Sequence, residues 1–310
     1  MTNNFSDKVY DQIAQLASKY DTMGQDLSAY LDGLLHARYL SYPDYIQLET
    51  LLSLQRPRTE EPDELVFIIY HQITELYFKL INWEIKQIAD QKNISPDAFT
   101  EKIKRLNRYW SHLISSYNIM TDGMDKAQFL KFRMSLLPAS GFQSFQYRLI
   151  EIYSTSLYHL VDATVKHTYT EDTPIEVLFE QLYWKHGAIE LASGNKTLTL
   201  KQFEEKYTRK LLRHSNFFKH KNLYKLVLAY SEKGILSTEM IHELKIYDYK
   251  MNVEWAMIHY RTAARFLAKK EDATPATGGT NWQKYLPPKN KRIVFFPELY
   301  TEDEINNWGH

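Results

Sequence analysis

Two histidines and an arginine stand where a titratable side chain needs a reason. His71 lies in DELVFIIYHQITELYFKL, a stretch apolar on most sides, with Phe67 one helical turn before it and Glu75 one turn after it. Burial would lower its pKa and keep one ring nitrogen as an acceptor at neutral pH, which suits an active-site hydrogen-bond partner. A core histidine satisfied by a nearby carbonyl or by Glu75 fits the same pattern. His259 lies in MNVEWAMIHYRTAARFL, where Trp255 precedes it by a turn, Ala263 follows by a turn, and Thr262 and Ala264 are also small. Small neighbours leave room for something flat, as a porphyrin with an axial imidazole would need, although a packed core histidine is again the alternative. Arg133, in QFLKFRMSLL, follows Phe129 by one turn and stands just before the PASG break. A guanidinium there must reach solvent or find an anion, and a substrate carboxylate and a protein carboxylate serve equally well.

Composition removes many competing chemistries. The 310 residues contain no cysteine, so disulfides, zinc–thiolate sites, iron–sulfur clusters, thiol nucleophiles and thioether-linked haem are excluded together. Any metal chemistry must use histidine, carboxylate or a non-covalent cofactor. Lysine plus arginine equals aspartate plus glutamate at 38 each, so no net field draws in nucleic acid or an acidic membrane. The basic run from Arg209 to Lys225 carries Phe217 and Phe218, but with Glu204 and Glu205 nearby it reads as a solvated helix face. There is no GxGxxG turn, phosphate-binding GxxxxGK[ST], HExxH or GxSxG. The opening MTNNFSDKVYDQIAQLASKY is charged throughout, and no later run approaches the ~20 apolar residues that span a bilayer. A cytoplasmic protein is the expectation.

The elements that must position these side chains read as helices. Only 10 glycines and 10 prolines punctuate the chain, and no stretch sustains strand alternation. Apolar periodicity predicts helices over 7–20 and 26–37, a helix of about three turns after the N-cap candidate Ser41 and Pro43, and one from Pro62 to Asp90 buried on most of its circumference. Further helices are expected over 96–118, 125–137, 142–168, 173–191, 199–214, 219–232 and 236–270. PASG at 138–141 and ATPATGGTNWQKYLPPKNKR at 273–292 break the pattern as loops. With no repeat and no low-complexity linker, an all-α chain of one large helical domain over 1–310 is the simplest organisation, with 1–24 as a mobile N-terminal segment.

Taken in order, several blocks resemble the haem-dependent tryptophan 2,3-dioxygenase family from about Tyr42 to Leu299. They are YPDYIQLETLLSLQRP, DELVFIIYHQITELYFKL, FRMSLLPASGFQSFQYRLIE, WAMIHYRTAARFL, ATGGTNWQKYL and FFPEL. The resemblance implies an all-helical homotetramer with intertwined N-terminal helices and one b-type haem per subunit, ferrous in the active state. His259 matches the axial ligand of the iron, and Trp255 stands beside it. His71 matches the distal histidine that accepts a hydrogen bond from the indole nitrogen, and Phe67 a residue lining the indole pocket. Arg133 matches the arginine that pairs with the amino-acid carboxylate, Thr277 the loop threonine that grips its backbone groups, and Ser140 and Gly141 residues beside the oxygen-binding face. Tyr42, Tyr45 and Ile46 match residues inserted into a neighbouring subunit's pocket.

The implied reaction inserts both atoms of O2 across the indole C2–C3 bond of L-tryptophan, giving N-formylkynurenine as the first step of tryptophan catabolism by the kynurenine pathway. Three departures bear on it: Phe129 stands where the family often has a tyrosine that helps hold the carboxylate, Ile46 replaces a leucine, and ATGGTNW replaces GTGGSSG. Loss of one hydroxyl donor weakens binding by ~1 kcal/mol, too little to argue against tryptophan. The altered loop bears on closing motion and side-chain tolerance. A haem monooxygenase hydroxylating a substituted tryptophan, with Phe129 and the loop as its support, and a non-catalytic haem sensor are the competing expectations.

Overall fold

The computed structural model describes residues 5–91, 93–190, 193–267 and 287–309. The chain divides into two compact units, Met1–Gln55 and Arg56–His310. In the first, α1 (Asp7–Thr22) pairs with α2 (Leu27–His36), whose first turn is capped by Asp26 accepting from the Ser28 amide at 2.9 Å. The single helix expected after Ser41 is instead two short ones, α3 (Tyr42–Ile46) and α4 (Leu48–Leu52). Gln47 between them takes a left-handed φ of 56°, which ends the first helix and starts the second on a new axis. None of these four helices has a buried residue.

The second unit is built on α5 (Asp63–Asp90), opened by Asp63 and Glu64 at its positive end. Tyr70, Thr74, Phe78, Ile81, Ile85 and Ile88, three or four residues apart, form its buried face. Burial around most of the circumference is not what the single chain shows: Leu65, Ile69, Leu76, Leu80 and Trp83 make an exposed apolar stripe along the opposite side. Next come α6 (Pro96–Ser116), α7 (Asn118–Thr121) and α8 (Lys126–Phe132), the last passing into a 3-10 turn over Arg133–Leu136. The helix expected over 142–168 is α9 (Phe145–Ser154) followed by 3-10 turns, because Thr155 turns extended and its hydroxyl donates to the Phe295 carbonyl at 2.7 Å. Likewise 173–191 resolves into α10 (Ile175–Glu180) and α11 (Tyr183–His186). α12 (Leu198–Phe218) and α13 (Leu223–Glu232) follow the expected pattern.

The long C-terminal helix is interrupted. α14 (Thr238–Tyr249) runs into a π-helical turn over Lys250–Glu254 and then α15 (Trp255–Leu267), so the register of the His259 segment is reset immediately before it. The described end of the predicted 273–292 loop is a helical turn, α16 (Pro288–Lys291), and the chain closes with α17 (Glu302–Asn306). α5 lies against α6 and α9, α14 against α6, and α9 against α12. Among the described residues there is no strand, only the isolated bridges Val161–Leu182 and Ile189–Lys196, and no helix is long and apolar enough to cross a membrane.

Buried polar ties lock the helices where side-chain packing alone would let them slide. Asn107 donates to the Glu243 carbonyl at 3.0 Å and to its carboxylate at 2.7 Å, joining α6 to α14. Asp248, fully buried, accepts from Asn252 at 2.7 Å and from the Phe295 and Phe296 amides at 2.9 and 3.3 Å, fixing the FFPEL segment. Burial pushes the Asp248 carboxyl up to about 7, with those donors pulling the other way. The folded protein therefore holds this proton more tightly than the unfolded chain, and the group's contribution to stability is full below about pH 4 and lost as pH rises through about 7. In urea unfolding, the stability of the native protein relative to Asp248→Asn should fall between pH 4 and pH 8; a rise over that range would contradict the assignment.

Candidate active site

His71 comes from α5 and His259 from α15, but they are held in the same manner. The Nδ1 of His71 faces the Phe67 carbonyl at 2.7 Å, and that of His259 faces the Trp255 carbonyl at 2.8 Å, each one turn back along its own helix. A carbonyl can only accept, so each Nδ1 carries the proton and each Nε2 presents its lone pair. Among the described residues neither Nε2 has a hydrogen-bond partner. Both rings keep some accessible surface, yet enough protein surrounds them for burial to lower both pKa values, that of His259 to about 4. The nearness of His71 and of the Lys291 charge disfavours protonation of His259 further. Each ring thus combines partial access with dense surroundings.

A run of aromatic rings connects the two imidazoles. Tyr70 lies 6.4 Å from the His71 ring and 5.5 Å from Tyr117, and Tyr117 lies 4.7 Å from His259. Trp255 backs His259 at 4.3 Å and joins it to Phe78 and Trp110 in the core. On the other side, Phe67 lies against His71 at 4.0 Å, and its ring meets Phe132 at 5.7 Å and Phe129 at 6.4 Å. Phe129 in turn touches Phe266 of α15 at 4.9 Å. These contacts bring α5, α8 and α15 around one region.

Helix ends hold that arrangement. Asp63 receives the Asp125 amide at 2.6 Å and gives its own amide to Gln128 at 3.1 Å, so the first turns of α5 and α8 cap one another. Lys126 donates to the Arg265 carbonyl at 2.9 Å, and Arg265 pairs with Asp122 at 2.8 Å, tying α15 to α8 and α7. Arg133, at the end of α8, is 5% exposed, and burial pulls its pKa below the usual arginine value. In the chain it follows Phe132, whose ring meets Phe67 and Phe129.

The remaining sequence candidates fall in several places. Ser140 caps the 3-10 turn Gly141–Gln143, and a Cβ added at Gly141 would meet nothing within 4 Å. Tyr42, Tyr45 and Ile46 belong to α3 of the N-terminal unit, with both tyrosines largely exposed. Thr277 and the ATGGTNW segment lie outside the described residues. A cleft of about 510 Å³ between α5, α9 and α12 is lined by Leu76, Leu80, Trp83, Tyr153 and His214 and includes neither His71 nor His259. Among the described residues no group of three or more histidines or carboxylates could hold a bare metal ion.

A family model described as tryptophan 2,3-dioxygenase matches residues 34–178. The tryptophan 2,3-dioxygenase of a Bacillus cereus strain is 29% identical over 285 residues, covering 84% of this chain and 91% of that protein. That of Bradyrhizobium diazoefficiens is 28% identical over 276 residues, covering 85% and 92%. Along most of its length the chain is similar to tryptophan 2,3-dioxygenases. The stretch matched by the family model includes Phe67, His71, Phe129 and Arg133, whereas His259 lies beyond it.

Several residues around the two histidines escape sequence reasoning: Tyr70, Tyr117, Phe132 and Phe266. Tyr117 comes from the end of α6, and no local spacing links it to a histidine more than a hundred positions away. Its ring meets Tyr70, Trp255 and His259, and its hydroxyl lies near Thr262. Tyr117→Ala should destabilise the fold by ~3–5 kcal/mol, the usual cost of deleting a buried ring. Tyr117→Phe, which keeps the ring, should cost about 1 kcal/mol. Equal losses in thermal unfolding would mean that the hydroxyl, not the ring, joins the two sides.

Proposed function

We propose that this chain is a haem-dependent dioxygenase that opens the indole C2–C3 bond of L-tryptophan with O2 to give N-formylkynurenine. The observation that carries this reading is the pair of imidazoles, each tethered through Nδ1 and uncommitted at Nε2, at the two ends of one aromatic run. That donor set fits haem b: a single neutral imidazole suffices for a macrocycle that brings its own in-plane nitrogens, and Ala256, Thr262, Ala263 and Ala264 keep the His259 helix slim. When bound and ferrous, haem supplies the oxygen chemistry.

The protein supplies position. His259 Nε2 would hold the haem iron, and Trp255, Ser140 and Gly141 would wall the macrocycle. His71, with its proton fixed on Nδ1, has its Nε2 lone pair available to accept the indole N–H. Phe67 stacks the indole beside it, and Phe129 extends the apolar wall. The Arg133 guanidinium and the Thr277 hydroxyl take the amino-acid carboxylate and backbone groups, and burial of Arg133 strengthens its hold on an anion. Held reactants replace a collision between diffusing ones. Both oxygen atoms remain in the product, so turnover draws no external electrons. The relatives named above all carry the dioxygenase name, which does not favour the monooxygenase or sensor readings.

On the same reading the chain acts as one helical dioxygenase domain in a cytoplasmic homotetramer, with 1–24 as a mobile segment and 273–292 as the active-site loop. The exposed stripe from Leu65 to Trp83 and the lack of buried residues in α1–α4 support a second copy as their cover. Tyr42, Tyr45 and Ile46 would then enter the neighbouring subunit's pocket.

The reduced, haem-loaded protein given L-tryptophan in air should yield a product heavier by two oxygen atoms; gain of one would favour hydroxylation, and no oxygen uptake would favour a sensor. His259→Ala should lose haem or its normal spectrum, whereas His71→Ala should keep haem and lose turnover or tryptophan affinity. Normal haem content in the first variant would remove the axial assignment. Arg133→Leu should weaken tryptophan far more than indole ligands without a carboxylate, by about tenfold or more; equal effects on both would sink the carboxylate role.

A further inference from the structure

Beside the His259 region lies a buried charge cluster that the reaction does not use. Arg148 is 7% exposed and Glu151 is 1% exposed, both on α9. Arg148 Nη1 donates to Glu151 Oε2 at 2.8 Å and to the Tyr183 hydroxyl at 3.1 Å, and that hydroxyl donates to Glu151 Oε1 at 2.5 Å. Both oxygens of the one carboxylate are therefore engaged. Arg148 Nε–H remains buried with no partner among the described residues.

A second cation lies near the same ring. Lys291 Nζ is 5.6 Å from the Tyr183 ring centroid, and Arg148 Cζ is 5.8 Å from it. Lys291 has no carboxylate within ion-pair distance among the described residues. The cluster thus holds two cations against one carboxylate. A surplus charge surrounded by protein is costly unless an anion meets it. Burial, and then Arg148, push the Lys291 ammonium down to about 8, as expected of a cation whose counter-ion is missing.

A run of ring contacts leads from the cluster to His259. Arg148 sits 5.1 Å from the Tyr147 ring, Tyr147 lies 5.5 Å from Phe78, Phe78 lies 5.9 Å from Trp255, and Trp255 lies 4.3 Å from His259. Lys291 is also near enough for its charge to lower the His259 pKa. Haem b carries carboxylates on one edge of an otherwise apolar plate, which is the anion class this surplus charge would match.

We infer that Lys291, supported by the free Nε–H of Arg148, is the docking point for a carboxylate of the macrocycle on the His259 side. The inference rests on the haem reading above, and its test separates the two. Full-length protein reconstituted with haem b, or with its dimethyl ester whose carboxylates are uncharged, is followed by the Soret band while excess apomyoglobin withdraws the macrocycle. The native protein should hold the free acid more tightly than the ester. Lys291→Met should release the free acid about tenfold faster or more while leaving the ester's release unchanged, and Lys291→Arg should restore most of the difference. Equal acceleration for acid and ester in Lys291→Met, or no acceleration for the acid, overturns the docking role while the haem reading stands. Absence of any Soret shift in the native protein with either compound overturns both.

Discussion

The tether from an imidazole Nδ1 to the carbonyl one turn earlier is the interaction on which the rest of this site depends. It is made twice, by His71 to Phe67 and by His259 to Trp255, and each time it settles the tautomer without any other side chain. With Nδ1 bound to its own helix, each ring can offer only Nε2 to what lies beyond. Burial keeps both rings neutral, so each offers a lone pair and not a proton. One such lone pair can hold iron and the other can accept a hydrogen bond. The difference between the two roles comes from the surroundings: small residues and Trp255 around His259, Phe67 and the end of α8 around His71.

Those surroundings must stay in register, and polar groups at helix ends do much of that work. Asp63, Asp125 and Gln128 exchange caps between α5 and α8, while Glu64 takes the Arg58 and Thr59 amides at 2.9 and 2.7 Å beneath the first turn of α5. Burial alone would raise the Glu64 carboxyl, but these donors bring it below the usual range. On the opposite side the π turn over Lys250–Glu254 carries one extra residue per turn and thereby sets where α15 faces. The Asp248 carboxylate, beside that turn, anchors the FFPEL segment to it. The same segment follows directly from Lys291, so the charge cluster and the His259 helix are fastened to one support.

Charge balance over the whole chain conceals a local imbalance. Equal numbers of basic and acidic residues rule out a global field, yet Lys291 and Arg148 meet around Tyr183 with Glu151 as their one carboxylate among the described residues. A zero sum over a sequence says nothing of which charges become neighbours. Lys291 was legible only as part of a basic, proline-containing loop. Its position beside Tyr183, more than a hundred residues earlier, arises from the packing of α16 near α9 and α11.

The sequence by itself determined the helical character of the chain, because apolar residues recur three and four apart and turn formers are few, and the extents of α5, α6 and α12 follow that recurrence closely. It also determined the local half of the site: Phe67 above His71 and Trp255 above His259 are consequences of helical spacing, and the ordered motif blocks marked these histidines where periodicity alone left a core role open. Tertiary structure decided the breaks and the partners. Gln47 ends a helix through its own left-handed backbone, Thr155 ends another by bonding to Phe295, and the π turn shifts a register that uninterrupted periodicity would have continued. The joining of His71 to His259 through Tyr70 and Tyr117 was beyond any local reading, since such contacts depend on which helix faces turn toward one another, and that is settled by the burial of all faces at once.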